Sequence, residues 1–433
     1  MVRSSQSHKV ILAVILAILA GVGLGAAQSG AAGPDPNFGT GGSVRPFVGN
    51  EGVSQLLAPG NDIIAVGTKF SVAKFDVDGI ADQSFSFDPL DAAPQYLQVG
   101  YEEFAGARLD RWDNLVIAGQ YSGNRGSMPW LTKVDTEGRL ALPFADKGYW
   151  IPKKTMGFRT SVNEIAMDQA GRIYVAVVRA VKKRGSAASR TSIQRLTPNG
   201  RPDSNFADTS SKRVLKRGAK SGYASVDGLT VTSDGKIIYS ISTANGAILR
   251  ALKPDGSRDR AFGHDGKLHV NHSFSVAKLT SSGNRVLLWG NLARRSPRDT
   301  FAPYAVALRS NGRVISTFGR TGRSEIDVGL LASAGVKPTH VVTPATFSLD
   351  KKGRAIASFN VGTGRSSKAR MTAIRLNQRG RLDRSFGEDG AFQAPVEYNS
   401  ENSSVTLDDG SVVVDAAVAD NGATHPGLYR LLP

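Results

Sequence analysis

One short element recurs seven times along this chain, and it constrains the fold more than any other feature. It reads DPNFGTGG from Asp35, DQSFSFD from Asp82, ALPFADKG from Ala141 and DSNFADTS from Asp203. The remaining copies are DRAFGHDG from Asp259, ISTFGRTG from Ile315 and DRSFGEDG from Asp383. A phenylalanine holds the same place in all of them: Phe38, Phe85, Phe144, Phe206, Phe262, Phe318 and Phe386. Asp lies three residues before it in five copies and Gly four residues after it in five. An Asp carboxylate accepts backbone N–H groups two residues on, and glycine permits positive φ, so the element reads as a turn. Its phenylalanine anchors that turn in apolar surface. A feature present in every repeat is architecture rather than a catalytic site.

Between the copies the order is also regular. The stretch from Gly228 to Val270 reads strand, SDG turn, strand, loop, strand, PDG turn, the Phe element and a short strand. The same order returns in Phe347 to Val361 and in Ser404 to Ala419. Glycine and aspartate punctuate alternating, β-branched runs, and no segment keeps a helical period. Four strands per unit, at spacings of 47 to 68 residues between phenylalanines, predict the blades of a β-propeller; a solenoid is the rival. The expected fold is all-β, a seven-bladed propeller of four-stranded blades spanning residues 33–433. The N-terminal strand, SVRPFV from Ser43, supplies what the last unit, ending in HPGLYRLLP, lacks. That pairing closes the ring and removes the open sheet edge.

The unit with its LDRSFGEDG element, Leu382 to Gly390, resembles the delta-60 repeat of exported bacterial proteins, over about residues 34–433. The copies at Asp82, Ala141 and Ile315 depart from that pattern. The resemblance implies an extracellular propeller and carries no catalytic residue across.

The first 32 residues stand apart from the repeats. A short polar segment with Arg3 and Lys9 precedes the apolar run Val10 to Ala20, followed by small residues. This is the pattern of a signal peptide over residues 1–32, with cleavage expected between Ala27 and Ala32. An uncleaved segment would be the sole route of contact with a membrane. There is no cysteine, which excludes disulfides, thiolate metal sites and lipidation at a terminal cysteine. The formal charge is +17, or about +15 once Arg3 and Lys9 are removed.

In a propeller whose strands run outward from the axis, the A–B and C–D turns share one face. The B–C and blade-to-blade connections share the other. Three B–C segments read as basic insertions: Lys182, Lys183, Arg184 and Arg190; Arg294, Arg295 and Arg298; and Arg365, Lys368 and Arg370. Blade-to-blade links on that face add Lys153 and Lys154, then Lys212, Arg213, Lys216, Arg217 and Lys220. Such a surface concentrates polyanions, so the expected partner is an anionic envelope polymer or glycan bound by a monomer, without catalysis. Aromatics interleaved there, Trp130, Tyr149, Trp150, Tyr223, Phe301 and Tyr304, are candidates for stacking on rings or for blade packing.

The catalytic inventory is thin. HExxH, GxSxG and phosphate-cradling glycine loops are absent. His269 and His272 lack a third ligand, and the turns at Asp76 and Lys253 lack the later acid that calcium needs, so no metal or cofactor is expected. No base-reading motif points to specific nucleic acid. Carboxylates at the starts of A strands, Glu103, Glu164, Asp227 and Glu401, would ring the axis; they offer an alternative, a polysaccharide hydrolase or lyase. A protein-binding scaffold is the third reading.

Overall fold

The computed structural model describes residues 33–85, 87, 101–123, 126–152, 160–183, 186–206, 226–243, 246–270, 274–292, 302–326, 331–332, 340–341, 345–362, 369–397, 402–420 and 422–433. The backbone alone is described at 101–102, 122–123, 126, 180–183, 186–190, 274–276, 292, 302 and 340–341. The segment expected to be a signal peptide, residues 1–32, lies outside these residues. Among them no helix is long and apolar enough to cross a membrane.

Seven antiparallel sheets follow one another along the chain. Blade 1 is β1 (Val53–Leu57), β2 (Ile63–Gly67) and β3 (Val72–Phe75), with Phe87 bridged to Val72 as its fourth strand. Blade 2 is β4 (Tyr101–Leu109), β5 (Leu115–Gly123), β6 (Gly126–Val134) and β7 (Tyr149–Trp150). Blade 3 is β8 (Thr160–Met167), β9 (Ile173–Lys183) and β10 (Ser186–Leu196). Blade 4 is β11 (Gly228–Val231), β12 (Ile237–Thr243), β13 (Gly246–Leu252) and β14 (Leu268–Val270). Blade 5 is β15 (Phe274–Ser282), β16 (Arg285–Leu292), β17 (Ala302–Arg309) and β18 (Arg323–Glu325). In blade 6 the first strand is broken into β19 (His340–Val341) and β20 (Thr346–Leu349), followed by β21 (Ala355–Gly362), β22 (Ala369–Leu376) and β23 (Ala391–Glu397). Blade 7 is β24 (Ser404–Thr406), β25 (Val412–Asp420) and β26 (Ala423–Leu431).

The ring is closed. Each first strand lies against the first strand of the next blade, and β24 lies against β1. The N-terminal segment completes blade 7: Val44 N donates to Leu428 O at 3.1 Å and Leu428 N to Val44 O at 2.8 Å. Arg430 on β26 clasps the same junction, reaching Asp35 at 3.2 Å and Asp409 at 2.6 Å. A solenoid would leave two ends; here none is left.

The core is seven apolar layers, one between each pair of adjacent blades. One joins Val116, Leu131 and Phe144 of blade 2 to Val162, Ile165 and Val175 of blade 3. Another joins Phe38, from the first Phe element, to Ile63 of blade 1 and Val413 of blade 7. Second strands are apolar on both faces because they are covered on both faces; β2 and β21 are buried along their whole length.

The repeated element has a job that needs the neighbouring blade. All seven phenylalanines are buried. In four copies the residue after the phenylalanine donates its N–H to the C–D turn of the next blade. The bonds are Gly39 to Asp78 O at 2.7 Å, Ala145 to Asn199 O at 2.7 Å, Gly263 to Asn311 O at 2.9 Å and Gly319 to Arg379 O at 2.6 Å. The five aspartates cap the turn as expected, each accepting from the N–H two residues on, as Asn37, Ser84, Asn205, Ala261 and Ser385 show. Position 319 has to be glycine: its φ is +57° and a Cβ would lie 1.8 Å from Arg323 O. The element is therefore an interblade staple.

Candidate functional site

The A strands bring charged side chains from four blades to the central axis. Glu164 on β8 is 7% exposed and accepts a hydrogen bond from Lys278 Nζ on β15, two blades away. The crossing is possible because the intervening strand β11 carries Gly228. A Cβ there would sit 2.6 Å from Leu279 N and 2.8 Å from Ser240 Oγ, so β11 and β15 approach too closely for any side chain. Burial pushes the Glu164 carboxyl above its usual range, against the pull of Lys278 and Arg108, and Asp227 pushes it further up. Arg108, near the end of β4, is shifted down by burial and partly restored by Glu164.

Asp227, just before β11, accepts the Ser242 N–H at 2.6 Å. Glu103, at the mouth end of β4, is exposed and accepts from Gln120 Nε2 of the adjacent strand. The structure thus gathers Glu164 and Asp227 with two cations, and places Glu103 on the same set of inner strands. Glu401 lies outside the described residues. Sequence reasoning missed Lys278 and Arg108; the available signal was glycine at position 228, where β8 carries Glu164.

The inner ring is also riveted by uncharged groups. Gln55 of blade 1 exchanges two bonds with Ala107 of blade 2, at 3.0 and 2.9 Å. Thr230 of blade 4 meets Ser281 of blade 5 at 2.6 Å. These fix the strands that carry the charged cluster.

The segments expected to form a basic face are partly described. Lys182 and Lys183 end β9, and Arg190 lies within β10. This corrects the reading of RAVKKRGSAASRTS as a loop insertion. β9 and β10 pair without interruption, Lys182 opposite Ala187, Lys183 opposite Ser186 and Arg190 opposite Arg179. The alternating sequence lets the ladder continue and satisfy its own backbone groups, so the segment is a hairpin arm rather than a loop. Arg370 is the second residue of β22, with Glu397 of β23 at 3.8 Å. Arg184, Arg294, Arg295, Arg298, Arg365 and Lys368 lie outside the described residues, as do Lys153, Lys154 and the cations from 212 to 220.

For the described aromatics the structure decides between the two expectations in favour of blade packing. Trp130, Tyr149, Trp150 and Tyr304 are all at most 5% exposed and pack inside blades, Trp130 against Phe70 at 4.8 Å and Tyr149 at 6.3 Å. They are core residues, because the ends of C and D strands stack between sheets instead of facing solvent. Tyr223 and Phe301 are outside the described residues.

On the opposite face six cations are matched to carboxylates. Arg195 meets Asp203 at 2.8 Å and Arg375 meets Asp383 at 2.8 Å, each with its guanidinium over the staple phenylalanine, Phe206 or Phe386. Lys133 meets Asp110 at 2.6 Å, Lys236 meets Asp259 at 3.0 Å, Arg172 meets Asp168 at 2.7 Å and Arg354 meets Asp350 at 2.6 Å. Among the described residues no group of three metal-ligating side chains occurs.

No family model matches the chain, and no curated protein matches it by sequence. Solved structures resemble it at low identity. A prolyl endopeptidase is 11% identical, with a TM-score of 0.44 over 89% of this chain and 50% of its own. An ancestral GH74 enzyme is 10% identical, with a TM-score of 0.47 over 93% and 51%. An alpha-L-arabinanase from Penicillium chrysogenum, solved with arabinobiose, is 10% identical, with a TM-score of 0.39 over 90% and 96%. The chain spans about half the length of the first two. At such identities the likeness is one of fold alone.

Proposed function

We propose that this chain is an exported, non-catalytic propeller of the delta-60 repeat type that captures an anionic polymer or glycan on its B–C face. The observation that supports the reading is a set of connecting segments rich in cations and free of acids. On the turn face, the cations named above each have a carboxylate built into the same or the neighbouring turn. In the sequence of the B–C and blade-to-blade connections, residues 153–159, 180–190 and 363–370 contain ten Lys or Arg and no Asp or Glu. The single described ion pair of that group, Arg370 with Glu397, joins side chains that are both more than two-fifths exposed, so it holds little energy. Unbalanced cations on one face raise the local concentration of a polyanion and its capture rate.

The test is binding of the chain from residue 33 onward to anionic and neutral polymers, at roughly 0.05 M and 0.5 M salt. Ionic capture weakens steeply over that range and is lost when the blade 3 and blade 5 cations are neutralised. Equal binding by the neutralised variant contradicts the reading.

One observation favours a second reading, hydrolysis at the axis. Burial pushes the Glu164 carboxyl upward and Asp227 stands near it, the pairing that acid–base cleavage of a glycosidic bond requires. Polysaccharide turnover abolished by both Glu164→Gln and Asp227→Asn would establish it, and no turnover in the unaltered protein would dismiss it.

A further inference from the structure

The interblade staple has a second half. Arg195, stacked over Phe206, also donates through Nη1 to Pro254 O, the second residue of the next C–D turn. Arg285, stacked over Phe318, does the same to Gln378 O at 2.7 Å. Between blades 5 and 6 both halves are in place, since Gly319 N–H already holds Arg379 O, the third residue of that turn.

The joint between blades 6 and 7 shows neither half. Gly387, the residue after Phe386, is buried, and its N–H has no acceptor among the described residues. Arg375 lies over Phe386 and is 1% exposed, yet its Nη1 has no acceptor either. By the repeat, both donors belong to the C–D corner of blade 7, and that corner is built differently. Its two sides, Leu432–Pro433 and Gly33–Pro34, are distant in sequence and are not joined by a Gly-containing turn. Pro433 takes the place of Pro254: a Cβ on Gly410 would lie 3.8 Å from Pro433, as one on Gly235 would lie 3.2 Å from Pro254. The bond that closes the corner is slack, Leu432 N to Gly33 O at 3.4 Å against 2.8 Å for Lys253 N to Ser257 O.

We propose that the ring opens at the joint between blades 6 and 7, its turn-face edge parting first and pivoting on the inner strands. The pivot is still bonded, with Thr346 Oγ1 donating to Asn402 O and Ser348 Oγ 3.4 Å from Ser404 Oγ. Blade 7 stays with the N-terminal segment and blade 1. Gly39 N–H holds Asp78 O at 2.7 Å, and Arg430 reaches Asp35 at 3.2 Å and Asp78 at 3.6 Å. The N-terminal strand is thus not the part that leaves. Opening uncovers the layer of Met371, Ala373 and Phe386 against Val412 and Val414. The inference goes beyond polymer capture and does not depend on it.

The chain has no cysteine, so a single introduced thiol reports opening. Ala305 and Ala373 are both fully buried, each three residues before the leucine that leads into its C–D turn, Leu308 or Leu376. Ala305 lies in the layer between blades 5 and 6 and Ala373 in the layer between blades 6 and 7. In the chain from residue 33 onward, the Ala373→Cys variant should react with iodoacetamide under native conditions about tenfold faster than the Ala305→Cys variant, since two fewer bonds oppose opening. Thermal melts confirm that both variants fold. Equal rates, or faster reaction of the Ala305→Cys variant, overturn the proposal. The cause is tested in a permuted chain, with Asp-Gly joining Pro433 to Gly33 and new ends between Arg379 and Gly380. There the order of the two rates should reverse, and an unchanged order overturns the staple as the reason. Should the permuted chain not fold, the first comparison alone decides.

Discussion

The two faces of the propeller use the same residue types for opposite ends. On the turn face, Arg195 and Arg375 are buried, each against an aspartate eight residues later in its own repeat and each over a staple phenylalanine. On the B–C face, Lys182, Lys183 and Arg190 sit on a hairpin arm whose sequence from 180 to 190 holds no acid at all. The contrast teaches that net charge alone says little. What matters is whether the repeat builds in a carboxylate at the place where the cation lands. The repeated face is conserved in pattern from blade to blade because it holds the blades together. The variable face is free of that duty.

The sharpest way to break this contrast is on the turn face. Phe318→Ala empties the layer between blades 5 and 6 and should cost about 3–5 kcal/mol in urea unfolding, with polymer binding retained in the folded fraction. A cost below about 1 kcal/mol would deny the staple its role. Next in size, Arg375→Met leaves the mostly shielded Asp383 with only Arg354, at 3.8 Å, and should cost about 3 kcal/mol, of which adding Asp383→Asn should recover a part. Additive losses in that cycle would mean the two residues do not act as a pair.

On the other face, Lys182→Glu with Lys183→Glu should leave stability within about 0.5 kcal/mol, yet lower polyanion affinity about tenfold at low salt. A large stability loss would make these cations structural.

The smallest effect is on pH dependence, and it has opposite signs at the two regions. Burial opposes ionisation of Asp383, but Ser385 and Arg375 outweigh it and hold the carboxyl below its usual value near 3.8. Asp409 is held low in the same way by Ser411 and Arg430. Their contribution is therefore complete above that value and is lost as pH falls below it. Glu164 is shifted upward by burial, so its folded form keeps a proton that the unfolded chain releases. Its contribution is complete below about 4.5 and is lost as pH rises from there. Glu164→Gln should gain stability relative to the unaltered chain as pH rises from 4.5, and a constant difference across that range would contradict the assignment.

The architecture was legible because its signal is local. Phe38 through Phe386, with Asp before and Gly after, can be read within eight residues, and ring closure follows from the missing strand of the last unit. The staple contact was not legible, since Gly319 finds Arg379 sixty residues away on the next blade. Lys278 escaped for the same reason: its partner is 114 residues distant and a lone lysine in a strand reads as solvent-facing. The blade 3 arm was misread because a basic, Gly-containing run looks like a loop, although its alternation continues the ladder to Lys183 and Ser186. For Tyr149 and Trp150 stacking and blade packing stayed open, because nothing in a sequence tells which sheet will cover a strand end; the structure buries both.

The most direct test of the central claim is hydrogen–deuterium exchange of the propeller with and without a bound anionic polymer. Protection confined to the ends of β9, β10 and β22 and the segments joining such ends, with the C–D turns at Asp78, Asn311 and Arg379 unchanged, is the expected result. Protection of those turns, or equal protection of both faces, would contradict the account.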